Sequence, residues 1–237
     1  MIRSERRDRV ALVTIDRPER RNALDLEHCR ELHRAVTGAT ADARVVVVTG
    51  AGGQFCAGAD LGGVEGDEFV AALRALLLFL TETPVPVIAA VEGPALGAGT
   101  QLAIACDLRV AAPDARFGVP AGKLGLMIDH WSVQRLVLLA GAGPARAMLL
   151  AAEVLSGEEA HRLGLVQRLG GLDEALAWAG EIAALAPVSI AGHKLSLNRP
   201  VSDPDVDAAF ARAWSSADLA EGMAAFRERR PPEFRGR

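Results

Sequence analysis

The residues here with the most chemical promise are not ionisable. In "GPALGAGTQLAIACDLRVA", residues 93 to 111, a Pro/Gly-rich turn of small residues runs into an apolar stretch, with no charge between Glu92 and Asp107. Such a turn leaves the first N–H groups of a following helix without partners and open to an acceptor from outside. A second loop, "FCAGADL" at 55–61, has the same character. Small residues let backbone N–H groups approach a ligand closely, and two such donors aimed at one oxygen stabilise it as it gains negative charge. Inside the long stretch stands Gln101, an amide, which is neither an acid nor a base at neutral pH.

Other chemistries fit poorly. "GAGGQF" (50–55) and "GAGTQL" (97–102) each follow a β-rich run, as a dinucleotide-binding loop would. Both miss the last position of G-x-G-x-x-G/A, where Phe55 and Leu102 would obstruct close helix–strand packing, and no acidic residue follows at a suitable distance. The G-x-S-x-G, H-E-x-x-H and Walker A patterns are absent from the sequence. Cys29, Cys56 and Cys106 are odd in number and unevenly spaced, which reads as small core residues and not as disulfides or a zinc site. A net charge of −4 makes no general case for nucleic acid. The Arg-rich ends, "MIRSERRDR" and "RERRPPEFRGR", would either meet phosphates or be solvated.

Elements that could position the two loops are legible around them. "RVALVTIDR" (9–17), "RVVVVTG" (44–50) and "VPVIAAVEG" (85–93) read as strands. Each precedes a helical pattern, at 24–39, 67–82 and 97–106 respectively, and "DLRVAA" (107–112) opens another strand. This alternation predicts an α/β class with mostly parallel pairing, and Val45 to Val48 predict a strand covered on both faces. "WSVQRLVLLAG" and "PARAMLLAAEVL" read as helices, "SGEE" (156–159) has capping-box spacing, and from about 172 the pattern is helical, broken at Pro187 and near Pro200 to Pro204. The N-terminus is charged from Arg3 onward and lacks a signal-peptide core, and the uncharged run 93–106 is too short to span a bilayer. The expectation is a cytoplasmic protein with no membrane span.

Taken together, "RPERRNALD", "GAGGQFCAGADL", "GPALGAGTQLAIACDLRVAA" and "LAEGMAAFRERRPPEF" resemble the crotonase (enoyl-CoA hydratase/isomerase) superfamily over essentially the whole chain. The resemblance implies an α/β spiral of ββα units over 1–182 that binds acyl-CoA, and a helical oligomerisation region over 183–237 that builds a homotrimer or homohexamer. It places the oxyanion donors on the N–H groups of Ala59 and Ala98, the latter preceded by Gly97. Ala57, Gly58, Ala59, Asp60 and Leu61 would line the adenine and pantetheine. Arg20 and Arg21 would face the CoA phosphates, and Arg229 would reach CoA across a subunit boundary. The thioester of coenzyme A is the implied ligand; no cofactor and no metal is implied.

The departures from the family's pattern matter as much. Hydratases of the family hold and activate water with two glutamates, and the matching positions here carry Gln101 and Ala121. Water addition needs an acid and a base step, so efficient hydration is not expected. Asp129 falls where some isomerases and dehalogenases of the superfamily keep an active-site aspartate, and it reads equally as a structural hydrogen-bonding residue. Asp60 and Asp107 read as structural. The expectation is an acyl-CoA-binding or carrier protein of lipid metabolism, serving a partner enzyme that the sequence leaves unspecified. The alternative is an enoyl-CoA isomerase or related enzyme using Asp129 as acid and base.

Overall fold

The computed structural model describes residues 1–60, 62, 67–199 and 201–237. β1 (Ile2–Arg7) and β2 (Val10–Ile15) form an antiparallel hairpin whose turn contains Asp8 at φ 54°. β3 (Val45–Gly50) and β4 (Val87–Val91) then add in parallel, each after a helical crossover. β5 (Pro94–Leu96) leaves this sheet, and α3 (Ala98–Ala105) leads back to β6 (Leu108–Ala111), parallel to β4. β7 (Arg116–Gly118) and β8 (Val154–Ser156) join β5 in a small second sheet, and β9 (Arg168–Leu169) closes the first, in the order β1-β2-β3-β4-β6-β9.

The crossover helices owe their positions to apolar stripes. α1 (Leu26–Asp42) is capped by Asp25, whose side chain accepts from His28 N, and it buries Cys29, Leu32 and Val36 at helical spacing. α2 (Asp67–Glu82) buries Phe69, Leu73, Leu76, Leu77 and Leu80. These two and α3 cover one face of the large sheet, against Val46, Val48 and Ala89. α7 (Leu172–Ala183) covers the other face, against Val45, Val47, Ile88 and Val110. The valine run of β3 is thus enclosed from both sides, as its unbroken apolarity predicts. Between these elements lie α4 (His130–Ala140), α5 (Ala142–Leu150) and α6 (Gly157–Arg162), the last opened by a complete Ser156–Glu159 capping box.

Several elements differ from the sequence reading. β1 is an edge strand whose residues after Ile2 are exposed, so charge replaces the apolar signal that marks a buried strand. The segment read as a turn at 93–97 contains β5, a strand of three residues, too short to show a period; Pro94 stands first in it, where a missing N–H is tolerated. The helix read through to residue 155 stops at Leu150, because Ala152 adopts φ 52° and the chain turns into β8.

α8 (Pro187–Leu197), α9 (Pro204–Trp214) and α10 (Ala217–Glu228) complete the chain. α8 is tied to the core by Lys194, only 5% exposed, whose ammonium donates to Leu80 O (2.9 Å), Val85 O (2.9 Å) and Asp107 Oδ2 (2.7 Å). Asn198 adds a bond to Thr81 O (3.0 Å) and accepts from Arg135 Nη1 (2.7 Å). Beyond this anchor Phe210, Trp214, Met223 and Phe226 are exposed, Phe226 at 82%. Among the described residues no single helix is long and apolar enough to cross a membrane.

Candidate active site

Two loops converge at the N-terminus of α3. Cys56 N donates to Pro94 O (2.9 Å) and Leu96 N to Cys56 O (3.1 Å), so the 55–60 segment runs beside β5. On its other side Leu24 N donates to Gly58 O (2.9 Å) and Asp60 N to Leu24 O (2.7 Å). Successive N–H groups in an extended segment point opposite ways, so these bonds turn the Ala59 N–H away from Leu24. Neither the Ala59 nor the Ala98 N–H donates to another group of the chain among the described residues. A Cβ built on Gly58 would stand 2.9 Å from Leu96 O and 4.0 Å from Ala98 N, which brings the two donor loops into direct contact.

Both alanines follow a glycine that carries the unusual torsion: Gly58 has φ 119° and Gly97 has φ 54°. Ala98 is the first residue of α3 and lies outside the positive-φ set. Alanine at this position therefore costs nothing in backbone strain, because the preceding glycine makes the turn. Thr100 fixes the turn from below, donating to Ala95 O (2.6 Å) and accepting from Gly118 N (3.1 Å). A side chain at Gly99 would collide with the Cys56 carbonyl, so only glycine lets α3 approach that loop.

The far end of α3 is equally determined. All eight of its residues are buried, so its last carbonyls cannot reach water. Arg109, 1% exposed, donates to Ala103 O (3.1 Å) and Cys106 O (2.8 Å), and with Nε to Leu165 O (2.6 Å). Burial pushes its guanidinium down to about 10. Arg135 adds a bond to Ile104 O (3.1 Å). Cations at the C-terminus satisfy the helix dipole there and leave the N-terminal N–H groups as the open end.

Gln101 is buried one turn into α3, and its amide Nε2 donates to Ser132 Oγ (2.8 Å) and Asp129 Oδ2 (3.2 Å). Asp129 is the N-cap of α4: Oδ1 accepts from Ser132 N (3.2 Å) and Oδ2 from Ser132 Oγ (2.6 Å), with Arg74 Nη1 4.0 Å from Oδ1. Ala121, in the short turn Pro120–Leu124, is half-buried and carries no polar group.

The remaining site residues fall into two groups. Asp60 is ion-paired with Arg17 Nη2 (2.9 Å), and Arg17 Nη1 also meets Asp25 Oδ2 (3.2 Å), so Asp60 pins its loop to the start of α1. Ala57 lies in the same loop, its N–H on Arg21 O (3.0 Å). Leu61 lies outside the described residues. Arg20, Arg21 and Arg229 are exposed, the last at the left-handed C-cap of α10. The structure brings Ala57, Gly58, Ala59, Asp60, Gly97, Ala98, Gln101 and Asp129 into one neighbourhood. Cys29, Cys56 and Cys106 are fully buried, and burial pushes their thiols up to about 12, which suits packing and not nucleophilic chemistry.

Sequence reasoning missed three residues that build this site. Ser132 bridges Gln101 to Asp129, and the Asp-x-x-Ser spacing before "VQRL" is an N-cap signal that points to it. Arg109, inside "CDLRVAA", gives no local sign of burial. Asn22, fully buried at φ 56°, accepts from Arg17 N (2.9 Å) and donates to Ala51 O (2.9 Å) and Gln54 O, joining the first motif to the second.

An α/β spiral with paired backbone donors at a buried helix N-terminus defines a crotonase-like protein. Residues 5–237 match the family described as "Enoyl-CoA hydratase/isomerase", and the chain belongs to that family. It is 46% identical over 248 residues to "Probable enoyl-CoA hydratase echA6" of Mycobacterium tuberculosis, covering 100% of both chains. It is 35% identical to "Crotonyl-CoA hydratase" of Syntrophomonas wolfei, over 97% of this chain and 96% of that one. Among solved structures, the enoyl-CoA hydratase of Bacillus anthracis superposes with a TM-score of 0.92 at 31% identity, covering 100% of this chain and 99% of that one.

Proposed function

We propose that this protein binds fatty acyl or enoyl thioesters of coenzyme A in the cytoplasm, within lipid metabolism, and holds them without efficient hydration. The single observation that carries the reading is the pairing of two open donors, Ala59 N–H and Ala98 N–H, with an amide at Gln101 and a methyl group at Ala121. Two donors on one oxygen grip and polarise a thioester. With Gln101 and Ala121 at the places of the family's two glutamates, no acid–base pair is left to handle water. The hydrogen bonds that Asp129 already accepts support its reading as a positioning residue over the isomerase alternative. The hydratases named among the relatives act on such thioesters, which supports the ligand class.

Calorimetric titration with saturated acyl-CoA tests the grip. Wild-type protein should bind, and Ala98→Pro should weaken binding by about 1–3 kcal/mol, the cost of one unmade hydrogen bond. Proline suits the first position of a helix, so this change removes the N–H with little harm to α3. Undiminished binding by a folded variant would remove Ala98 from the site.

The same reading assigns Arg20 and Arg21 to the CoA phosphates. It makes residues 183–237 an assembly element, with Arg229 reaching the ligand of a neighbouring copy. The exposed Phe210, Trp214, Met223 and Phe226 support that assembly, since a lone surface has no use for so much apolar area. Light scattering should report a trimer or hexamer at micromolar concentration; a monomer would refute the assembly.

A further inference from the structure

At the end of the sheet away from the donor loops, α7 and α8 meet the entries to β3 and β4 around a cavity of about 270 Å³. Val85, Ile182 and Ile190 line it, together with Pro84, Pro86 and Pro187. Proline has no N–H, so those three walls give a ligand no donor. Among the described residues the one charged group on the lining is Arg44, half-buried just before β3. Its guanidinium donates to Ala183 O (3.3 Å) and Phe234 O (2.6 Å). The fork carries further N–H groups, and these meet no acceptor among the described residues. Burial and the nearby charge of Arg9 both push its pKa below the ordinary guanidinium value, and the one carboxylate that offsets them is Asp218. The two Asp218 oxygens already accept from Arg235 N (2.7 Å) and Gly236 N (2.9 Å). Arg44 is therefore a cation on an apolar wall with donors to spare and no ion pair of its own.

We propose that this cavity is a second ligand site, which takes a free aliphatic monocarboxylate with its chain among the prolines and its carboxylate on Arg44. A carboxylate matches a guanidinium in charge and in planar shape, and it accepts from two N–H groups at once. An alcohol of the same length keeps the apolar contact and forgoes the charge; an amine meets a like charge. The volume holds about nine water-sized groups, which suits an acid of roughly six carbons. The site is separate from the thioester site. The donor loops follow the last residues of β3 and β4, the cavity precedes their first, and strands of this length span roughly 17–20 Å. The proposal does not rest on the roles given to Ala59 and Ala98.

Ligand-observed NMR titrations of hexanoate, hexanol and hexylamine into wild type, Arg44→Met and Ala191→Phe test this, with circular dichroism reporting the fold of each variant. Wild type is expected to bind hexanoate about tenfold more tightly than hexanol, the size of one charge-assisted hydrogen bond, and hexylamine least. Arg44→Met should bring hexanoate down to the level of hexanol. Ala191, on α8, also lines the cavity, so Ala191→Phe should fill it and abolish hexanoate binding with Arg44 still in place. Should Arg44→Met fail to fold, Ala191→Phe and the order of the three ligands on wild type decide the matter. Equal binding of hexanoate and hexanol by wild type would overturn the role of Arg44, as would a preference surviving Arg44→Met. Hexanoate bound undiminished by folded Ala191→Phe, or displaced competitively by octanoyl-CoA, would place it elsewhere and overturn the second site. No binding of hexanoate by wild type, whether the cavity is covered by a neighbouring copy or stays empty, would overturn it too. Failure of wild type to bind octanoyl-CoA would count against the thioester reading alone.

Discussion

Wild-type protein is expected to hydrate crotonyl-CoA and longer enoyl-CoA only slowly, and Gln101→Glu combined with Ala121→Glu to raise that rate at least tenfold. Oxyanion donors contribute on the order of 10²–10³ in rate, and positioned acid–base groups typically a further 10²–10⁴. Either substitution alone should do much less, because two carboxylates acting on one water behave as a unit. The structure identifies what opposes the rescue. The Gln101 amide lies 3.2 Å from Asp129 Oδ2, and a glutamate there could donate to neither partner, would compete with Asp129 for the Ser132 hydroxyl and would face a like charge. Adding Asp129→Asn should therefore raise hydration further, by returning a donor to the new carboxylate. Loss of enoyl absorbance under saturating substrate measures each step. Rapid hydration by the unaltered protein would refute the central reading and would require another acid to manage the water.

Lys194→Met is expected to destabilise the protein by about 3–5 kcal/mol, the usual loss when one partner of a buried ion pair is removed. The ammonium holds Leu80 O, Val85 O and Asp107 Oδ2 at once, so its loss strands a carboxylate and two carbonyls at the junction of α2, β4 and α8. Asp107 Oδ2 also accepts from Val87 N (2.7 Å), which an asparagine can still do. Adding Asp107→Asn should accordingly recover part of the stability. Urea denaturation of the two variants beside wild type gives the numbers. A loss below about 1 kcal/mol in the single variant would mean that Asp107 is hydrated in its absence.

Local pattern alone was enough for much of this protein. The valine run of β3, the stripes of α1 and α2, and the uncharged stretch of α3 each follow from spacing, because burying one face or all faces is a nearest-neighbour property. The two small-residue loops were equally plain, and so were the amide at Gln101 and the methyl group at Ala121, which need no coordinates. β5 and β1 were not legible, one too short to have a period and the other polar because it lies at an edge. What only the tertiary structure decided is which polar groups meet. Asp129 and Ser132 stand 28 and 31 residues from Gln101, Arg109 reaches Leu165 across 56, and Lys194 reaches Asp107 across 87. Such pairings depend on the path of the whole spiral, and a polar side chain carries no sequence mark of the distant partner that will satisfy it. The amino acids announce two small-residue loops with an amide close by in the chain; the fold decides that this amide meets Ser132 and Asp129.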